Sequence, residues 1–467
     1  MAGLRSFFFW LKWGWSWGSA GNAKERIFPD CIPCGIGEES GGRSLTWYEV
    51  SGGRPLDGAV KIQGSKNAAL PVLAGALLHK GRTVLHNCPD ITDVRYTLEI
   101  LESLGCTVWR EKDTLILDAA GLNETKVPEK LGEKMRSSVI FLGSLLGRCK
   151  EAVLPYPGGC TIGKRPIDLH LRLLTQMGAI FQEEEQLLKA WSTGLCGTGL
   201  VLPFPSVGTT ENVILAAVLA DGVTVLSGAA KEPEIAELCR FLRGKGARIE
   251  GDGTDTIRVE GVTALQDSEF IIGSDRIVAG TYLFGGVLTR GRILLSGAEA
   301  GSLGEVLHVI RKTGAVVKTA PEEIFLEAGE AFLPVGKVTT RPYPGFPTDL
   351  QSALLSAMTV AQGRSEIEER IFEARFQTAD QLRRMGADLE IKGNRARIRG
   401  VSSLRGAFVR AKELRGGAAL VLAALGAEGT TRIQDDEYME RGYEDLAGDL
   451  RMLGACIDKK SAVPEPL

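Results

Sequence analysis

Six times along this chain a helical stretch runs into one short phrase: a Gly, then Ala or Cys, then an apolar residue within two further positions. The glycines are Gly105, Gly178, Gly246, Gly314, Gly386 and Gly454, spaced 73, 68, 68, 72 and 68 residues apart. A fixed period means one supersecondary unit copied along the chain. A Gly at that place fits a helix C-terminus in the left-handed conformation, which a Cβ disfavours. The apolar residues after it then open the next strand. Leu101 and Leu104, and again Leu382 and Met385, precede their glycines with the i, i+3 spacing of a helix face. The chain therefore reads as six α/β modules of about 70 residues. A module that small buries little core by itself, so the modules are expected to pack in groups.

Composition excludes several classes of function. Apolar residues at 44% and charged residues at 24% describe an ordinary globular protein. Lys plus Arg number 55 against 58 Asp plus Glu, a net charge of −3, which argues against nucleic acid or an anionic membrane as partner. Nine cysteines, an odd number unevenly spread, make no disulfide framework. Cys88, Cys106, Cys149, Cys196, Cys239 and Cys456 are read as small buried side chains, and the compartment as reducing and cytoplasmic.

Residues 1–46 differ in kind. Four of the seven tryptophans (Trp10, Trp13, Trp15, Trp17) fall in a run from Phe7 to Gly18 that is too short to span a bilayer. Lys12 interrupts the run, so it reads as a disordered or mis-started extension before a signal peptide or an interfacial patch. Cys31 and Cys34 form a lone pair short of the four ligands of a zinc site. The fold is expected to begin near Trp47-Tyr48-Glu49-Val50.

Chemistry concentrates in a few phrases. In Tyr156-Pro157-Gly158-Gly159-Cys160-Thr161-Ile162-Gly163-Lys164-Arg165-Pro166, Pro and Gly mark a loop, and Lys164, Arg165 and the following His170 would activate an exposed Cys160 thiol. Gln63-Gly64-Ser65-Lys66-Asn67 resembles an anion cradle but lacks the full phosphate-loop pattern. Asp349 follows three prolines and precedes an apolar stretch, as a helix cap or as a general base. Arg136, Arg375, Arg415 and Arg441 stand alone among apolar or small residues. Guanidinium groups that converge from several modules would hold a small multiply charged anion.

Ten phrases, in order over about residues 48–458, are similar to the UDP-N-acetylglucosamine enolpyruvyl transferase family. They are Gly-Ser-Lys66-Asn67-Ala-Ala-Leu-Pro, Lys-Met-Arg136-Ser-Ser, the Cys160 loop through Arg165 to His170, Phe-Pro-Ser206-Val207-Gly208-Thr-Thr-Glu-Asn and Lys231-Glu232-Pro-Glu234. The others are Ser274-Asp275-Arg276-Ile277, Gly-Phe-Pro-Thr-Asp349, Ile371-Phe372-Glu-Ala-Arg375, Leu-Arg415 and Arg441-Gly-Tyr. The resemblance implies a two-domain inside-out α/β barrel of six βαβαββ units. One domain would span 66–273 and carry the Cys160 loop; the other would join 48–65 to 274–460.

It also implies transfer of the enolpyruvyl group of phosphoenolpyruvate to the 3-hydroxyl of UDP-N-acetylglucosamine, the first committed step of peptidoglycan synthesis, with no metal or organic cofactor. Cys160 would donate the proton, and an epoxide phosphonate such as fosfomycin would alkylate it. Asp349 would be base or orienter. Lys66, Arg165 and Arg441 would hold the phosphate of phosphoenolpyruvate and Arg375 and Arg415 its carboxylate, with Asn67 contacting phosphoenolpyruvate and the UDP-sugar. Arg136, Arg165, Pro166, Ile167, Asp168, Leu169, Ser206, Val207, Gly208, Asp349 and Ile371 would line the UDP-sugar site, with Arg136 supporting the adducted loop.

Some positions depart from the family. Val278 stands where Glu is usual, Tyr438-Met439-Glu440 where His, an apolar residue and Asp are usual, and Gly416 where Ala is usual. Phe204-Pro205 lacks a basic residue some members carry. They suggest a diverged paralogue. Two rival readings are a non-catalytic UDP-sugar-binding paralogue and a 3-phosphoshikimate enolpyruvyl transferase.

Overall fold

The computed structural model describes residues 45–156 and 167–462. Residues 1–44, with the tryptophan run, Cys31 and Cys34, and residues 157–166, with Cys160, Arg165 and Pro166, lie outside the described residues.

All six repeat glycines have positive φ, between 87° and 103°. Each follows an amphipathic helix: Thr92–Ser103, Asp168–Gln176, Pro233–Gly244, Gly304–Lys312, Ala379–Arg384 and Leu446–Met452. The residue after the glycine reaches back to the last turn, as in Cys106 N to Leu101 O (3.0 Å), Ala247 N to Leu242 O (3.0 Å) and Ala455 N to Leu450 O (2.9 Å). This closure caps the helix and turns the chain into a strand within two residues.

The strands form one sheet pattern in five of the modules and an abbreviated form of it in the sixth. In the five, one strand runs parallel to a second, which pairs antiparallel with a third, itself antiparallel to a fourth. Ser268–Ile271, Arg82–His86, Thr114–Asp118 and Thr107–Glu111 lie in that order, as do Asp57–Lys61, Arg292–Ser296, Glu323–Glu327 and Val316–Ala320. The sheet of Glu151–Pro155, Leu187–Trp191 and Ile180–Glu184 has three strands plus a parallel bridge from Lys126 to Val153. Leu45–Ser51 lies between Thr430–Asp435 and Cys456–Ala462, so the first strand completes the last module.

A second helix in every module is predominantly apolar and largely buried. Ile277 through Leu288 of Arg276–Leu288 are all buried, as is every residue of Gln351–Met358. These two pack with Leu414–Leu425 at the centre of one core. Lys66–Ala76, Phe141–Cys149 and Val207–Ala217 fill a second core. The first core gathers Tyr48–Ile62 and Ile277–Ile457, the second Ala68–Ile272. The chain crosses between them twice, at 62–65 and 272–275, and the crossings lie side by side: Gly64 bridges Ser274, Ser65 N donates to Gly273 O (2.7 Å) and Asp275 N to Gln63 O (2.9 Å).

The cysteine expectation needs correcting. Cys88, Cys106 and Cys239 are buried, but Cys149 is half-buried, and Cys196 and Cys456 are exposed. Cys196 follows the Met177–Gly178 turn in space through its N–H to Met177 O (2.9 Å), and Cys456 opens the final strand, positions where a small side chain suffices without burial.

A Cβ built on Gly246 meets nothing within 4 Å, so Gly246→Ala tests the left-handed backbone alone. It is expected to cost about 1–2 kcal/mol, and Gly246→Asn less, because Asn tolerates this conformation. Thermal melts of the two variants check the order; equal melting temperatures for Ala, Asn and Gly would remove the role assigned to the turn.

Candidate active site

The core helices carry the candidate residues at their N-terminal ends, where unpaired N–H groups and the helix dipole favour anions. Lys66 and Asn67 open Lys66–Ala76. Arg136 opens the 3-10 turn Arg136–Ile140 ahead of Phe141–Cys149. Ser206 caps Val207–Ala217 by accepting from Thr209 N (3.4 Å). Asp349 lies in the turn Thr348–Leu350 before Gln351–Met358, and Arg415 in the first turn of Leu414–Leu425. The sixfold repeat thus brings together residues far apart in sequence.

Two charged clusters meet at the seam between the cores. In one, Asp349 is not the cap of the following helix. Its Oδ1 accepts from Arg375 Nη2 (2.7 Å) and its Oδ2 from Arg415 Nη2 (3.2 Å). Arg375 also donates from Nε to Thr348 O (3.3 Å) and lies 3.7 Å from Glu413 Oε2. Glu413 caps the helix that carries Arg415, accepting from Arg415 N (2.8 Å) and Gly416 N. Arg415 stacks over Tyr443, 5.8 Å from the ring centroid, and its Nη1 is buried with no hydrogen-bond partner among the described residues. In the other cluster, Lys66 Nζ lies 2.6 Å from Asp93 Oδ2, and Arg441 donates to both oxygens of Asp93, at 2.8 and 3.3 Å.

The clusters form one electrostatic neighbourhood. Withdrawal from water raises the Asp349 pKa, but Arg415, Arg375 and Lys66 more than offset it and hold the carboxyl well below the usual range. Burial lowers the Lys66 pKa, opposed by Asp93 and reinforced by Arg441 and Arg415. Asp93 is likewise held low, with burial overcome by Lys66 and Arg441.

Residues expected at the sugar-nucleotide site lie in the second core. Ile167 is buried, and Asp168 and Leu169 begin Asp168–Gln176. His170, read from sequence as a group beside the thiol, is buried against Asn212 Nδ2 (2.8 Å). Asn212 also accepts from Gly143 N (2.7 Å) and donates to Val139 O (3.0 Å). It thereby ties the Arg136 turn, the 167–170 segment and the Ser206–Gly208 turn together. A Cβ on Gly208 would sit 3.3 Å from His170 Cε1. Ile371 belongs to the opposite core, its N–H donating to the buried Glu369 (2.7 Å), which also accepts from Thr348 Oγ1 (3.0 Å).

Several of these partners escaped sequence reasoning. Asp93, Glu369 and Glu413 look like ordinary first-turn or strand-end acids, and their partners lie up to 348 residues away. The described cysteines offer no rival thiol of low pKa in the interior: burial pushes Cys88 and Cys239 up to about 12 and Cys106 up to about 11.

The departures at Val278, Met439 and Gly416 are absorbed by packing, whereas Phe204 is exposed and Glu440 pairs with Lys459 at the surface. Val278 is fully buried, and Met439 covers Gly417, where a Cβ would meet its Cγ at 2.9 Å. A Cβ on Gly416 would press on Thr378 Oγ1 (2.4 Å) and Glu413 Oε1 (2.7 Å), so Gly there leaves the cap undisturbed.

A paired-core α/β fold of six modules, with cationic helix ends gathered at the seam, is that of the enolpyruvyl transferases. NikO from Streptomyces tendae superposes with a TM-score of 0.81 over 90% of this chain and 100% of that one, at 23% identity. An EPSP synthase from Acinetobacter baumannii follows with a TM-score of 0.70 over 89% and 100%, at 18% identity. The family model described as EPSP synthase (3-phosphoshikimate 1-carboxyvinyltransferase) matches residues 50–450. A UDP-N-acetylglucosamine 1-carboxyvinyltransferase 2 from Caldanaerobacter subterraneus subsp. tengcongensis is 45% identical over 88% of this chain and 98% of its own length. A UDP-N-acetylglucosamine 1-carboxyvinyltransferase from Lawsonia intracellularis is 42% identical over the same shares. The chain belongs to the EPSP synthase family and, within it, to the UDP-N-acetylglucosamine 1-carboxyvinyltransferases.

Between the cores, Arg276 donates to both oxygens of Glu234 (3.0 and 3.3 Å), with 10% and 6% of the two side chains exposed. Glu234→Gln removes the carboxylate bonded to the buried guanidinium, leaving only the more distant Glu232 and Asp349 to offset its charge, and is expected to cost about 3 kcal/mol. Urea titration measures it; a midpoint shift worth less than about 1 kcal/mol would show that water or another acid replaces the partner.

Proposed function

We propose that the protein transfers the enolpyruvyl group of phosphoenolpyruvate to the 3-hydroxyl of UDP-N-acetylglucosamine, releasing phosphate, as a cytoplasmic enzyme of peptidoglycan synthesis. The observation that carries this reading is the convergence of Lys66, Asp349, Arg375, Arg415 and Arg441 on one seam, in a chain 45% identical to a named relative. The two domains would be 48–65 with 274–460, and 66–273 with the Cys160 loop.

The chemistry follows from the charges. Arg375 and Arg415 hold the substrate carboxylate and Lys66, Arg165 and Arg441 its phosphate, stabilising negative charge as it moves to the leaving oxygen. The Cys160 thiol gives its proton to the methylene carbon, the sugar hydroxyl attacks the adjacent carbon, and Asp349 takes the hydroxyl proton. Loss of phosphate and of a methyl proton restores the vinyl group. With its two arginines unoccupied, Asp349 is too strongly held in the ionised form to be a good base. A carboxylate arriving at Arg375 and Arg415 offsets their charge and raises the basicity of Asp349, so substrate binding switches the base on. Asn67 and Arg136, Ile167–Leu169, Ser206–Gly208 and Ile371 are assigned to the two substrates as the family resemblance has them.

Phosphate release from phosphoenolpyruvate that depends on UDP-N-acetylglucosamine is the direct test. Binding of the UDP-sugar without release would support a non-catalytic paralogue, and release only with 3-phosphoshikimate the sister activity. Asp349→Asn is expected to lower turnover by two or more decades, as for a lost proton acceptor, and to leave UDP-sugar affinity within about tenfold. A variant of full rate would return Asp349 to a structural role. Fosfomycin is expected to label Cys160 alone among the nine cysteines, with Cys160→Asp active and unlabelled; intact-mass mapping of the label to Cys196 or Cys456 would reject the assignment.

A further inference from the structure

Asp93 stands in the first turn of Thr92–Ser103 with 2% of its side chain exposed. It contacts two of the cations assigned above to the phosphate. Lys66 reaches its Oδ2 at 2.6 Å, and the Arg441 guanidinium spans both oxygens at 2.8 and 3.3 Å. Lys66 and Asp93 belong to one half of the fold and Arg441 to the other, so this carboxylate also ties the halves across the seam. A carboxylate bridging an ammonium and a bidentate guanidinium occupies the positions two phosphate oxygens would take. The other half-site differs. Arg375 and Arg415 share Asp349, but Arg415 keeps a buried donor, Nη1, without a partner among the described residues.

We infer that Asp93 is an internal counter-anion of the phosphate half-site: it presets Lys66 and Arg441, latches the two halves together, and competes with incoming phosphate for the same donors. The substrate carboxylate engages the open Arg415 donor first, and the phosphate enters as Asp93 yields its bonds. When inorganic phosphate departs, the Asp93 carboxylate takes its place, which speeds release of a dianion from a strongly cationic site. Asp93 touches no reacting atom; it acts through Lys66 and Arg441 as a positioning residue. This inference rests on the function proposed above.

Asp93→Asn keeps the shape and removes the charge. Calorimetric titration with inorganic phosphate is expected to show binding tightened about tenfold or more, since a negative charge within hydrogen-bond distance of both cations is gone. KM for phosphoenolpyruvate should fall without a rise in kcat, and Asp93→Glu, which restores the charge, should return both toward the parent values. Weaker phosphate binding by Asp93→Asn would overturn the inference, because Asp93 would then orient the cations without competing for them. Unchanged affinity together with a lower melting temperature would also overturn it, leaving only a strut. Phosphate titration reads Asp93 whether or not the enzyme turns over. Failure of the parent protein to release phosphate from phosphoenolpyruvate would instead count against the proposed function.

Discussion

The carboxylate of Asp275 holds the two halves of the molecule in register. Its Oδ1 accepts from Ile277 N (2.8 Å) and Val278 N (3.0 Å), capping the helix Arg276–Leu288. Its Oδ2 accepts from Lys66 N (3.0 Å), at the start of the helix that heads the other core. One side chain therefore satisfies donors at the N-termini of two helices that belong to different cores, just where the chain crosses between them. A negative charge there also suits both helix dipoles. The positions of Lys66 and Arg276, and through them of Asp93 and Glu234, follow from this shared cap.

Away from the crossings, the seam is polar and charged. Glu232 accepts from Tyr343 N (3.2 Å), and Glu444 Oε1 accepts from Asp90 N (2.5 Å). Apolar burial would bind the halves without directional preference, whereas these bonds hold only at one relative placement. Buried ion pairs add little net stability, because desolvation offsets most of the Coulomb gain. Their value here lies in alignment: Lys66, Arg441, Arg375, Arg415 and Arg276 are each already fixed by an acid of the protein. Burial raises the pKa of Glu232, whose Oε2 has no hydrogen-bond partner among the described residues.

Much of the architecture was legible in the sequence, because a left-handed helix terminus nearly demands glycine and the chain meets that demand six times. The cationic residues were legible as odd arginines in apolar phrases, and the family resemblance set them in one site. Their acidic partners were not. Asp93 and Glu413 occupy first-turn or cap positions where acids are common for local reasons, so nothing in the neighbouring residues distinguishes them. The local reading of Asp349 as a cap failed for the complementary reason: Arg375 from later in the same module and Arg415 from the next one take its two oxygens. Burial was also misjudged for Cys196 and Cys456, since residue type says little about exposure at strand edges. Pairings that span hundreds of residues come from module packing, which no local pattern encodes.

The strand Leu45–Ser51 sits between Thr430–Asp435 and Cys456–Ala462, with Ser51 and Thr430 separated by 379 residues. The half that contains Ala68–Ile272 is assembled from one continuous stretch and can reach its final contacts before the remainder has left the ribosome. The other half cannot close its last sheet until synthesis is nearly finished, and through that interval its opening strand has both edges unsatisfied. Such a long wait carries a large loop-closure cost and exposes a pairing edge to neighbouring nascent chains. Order of emergence from the ribosome, more than thermodynamic strength, thus makes the opening strand the vulnerable point in biogenesis.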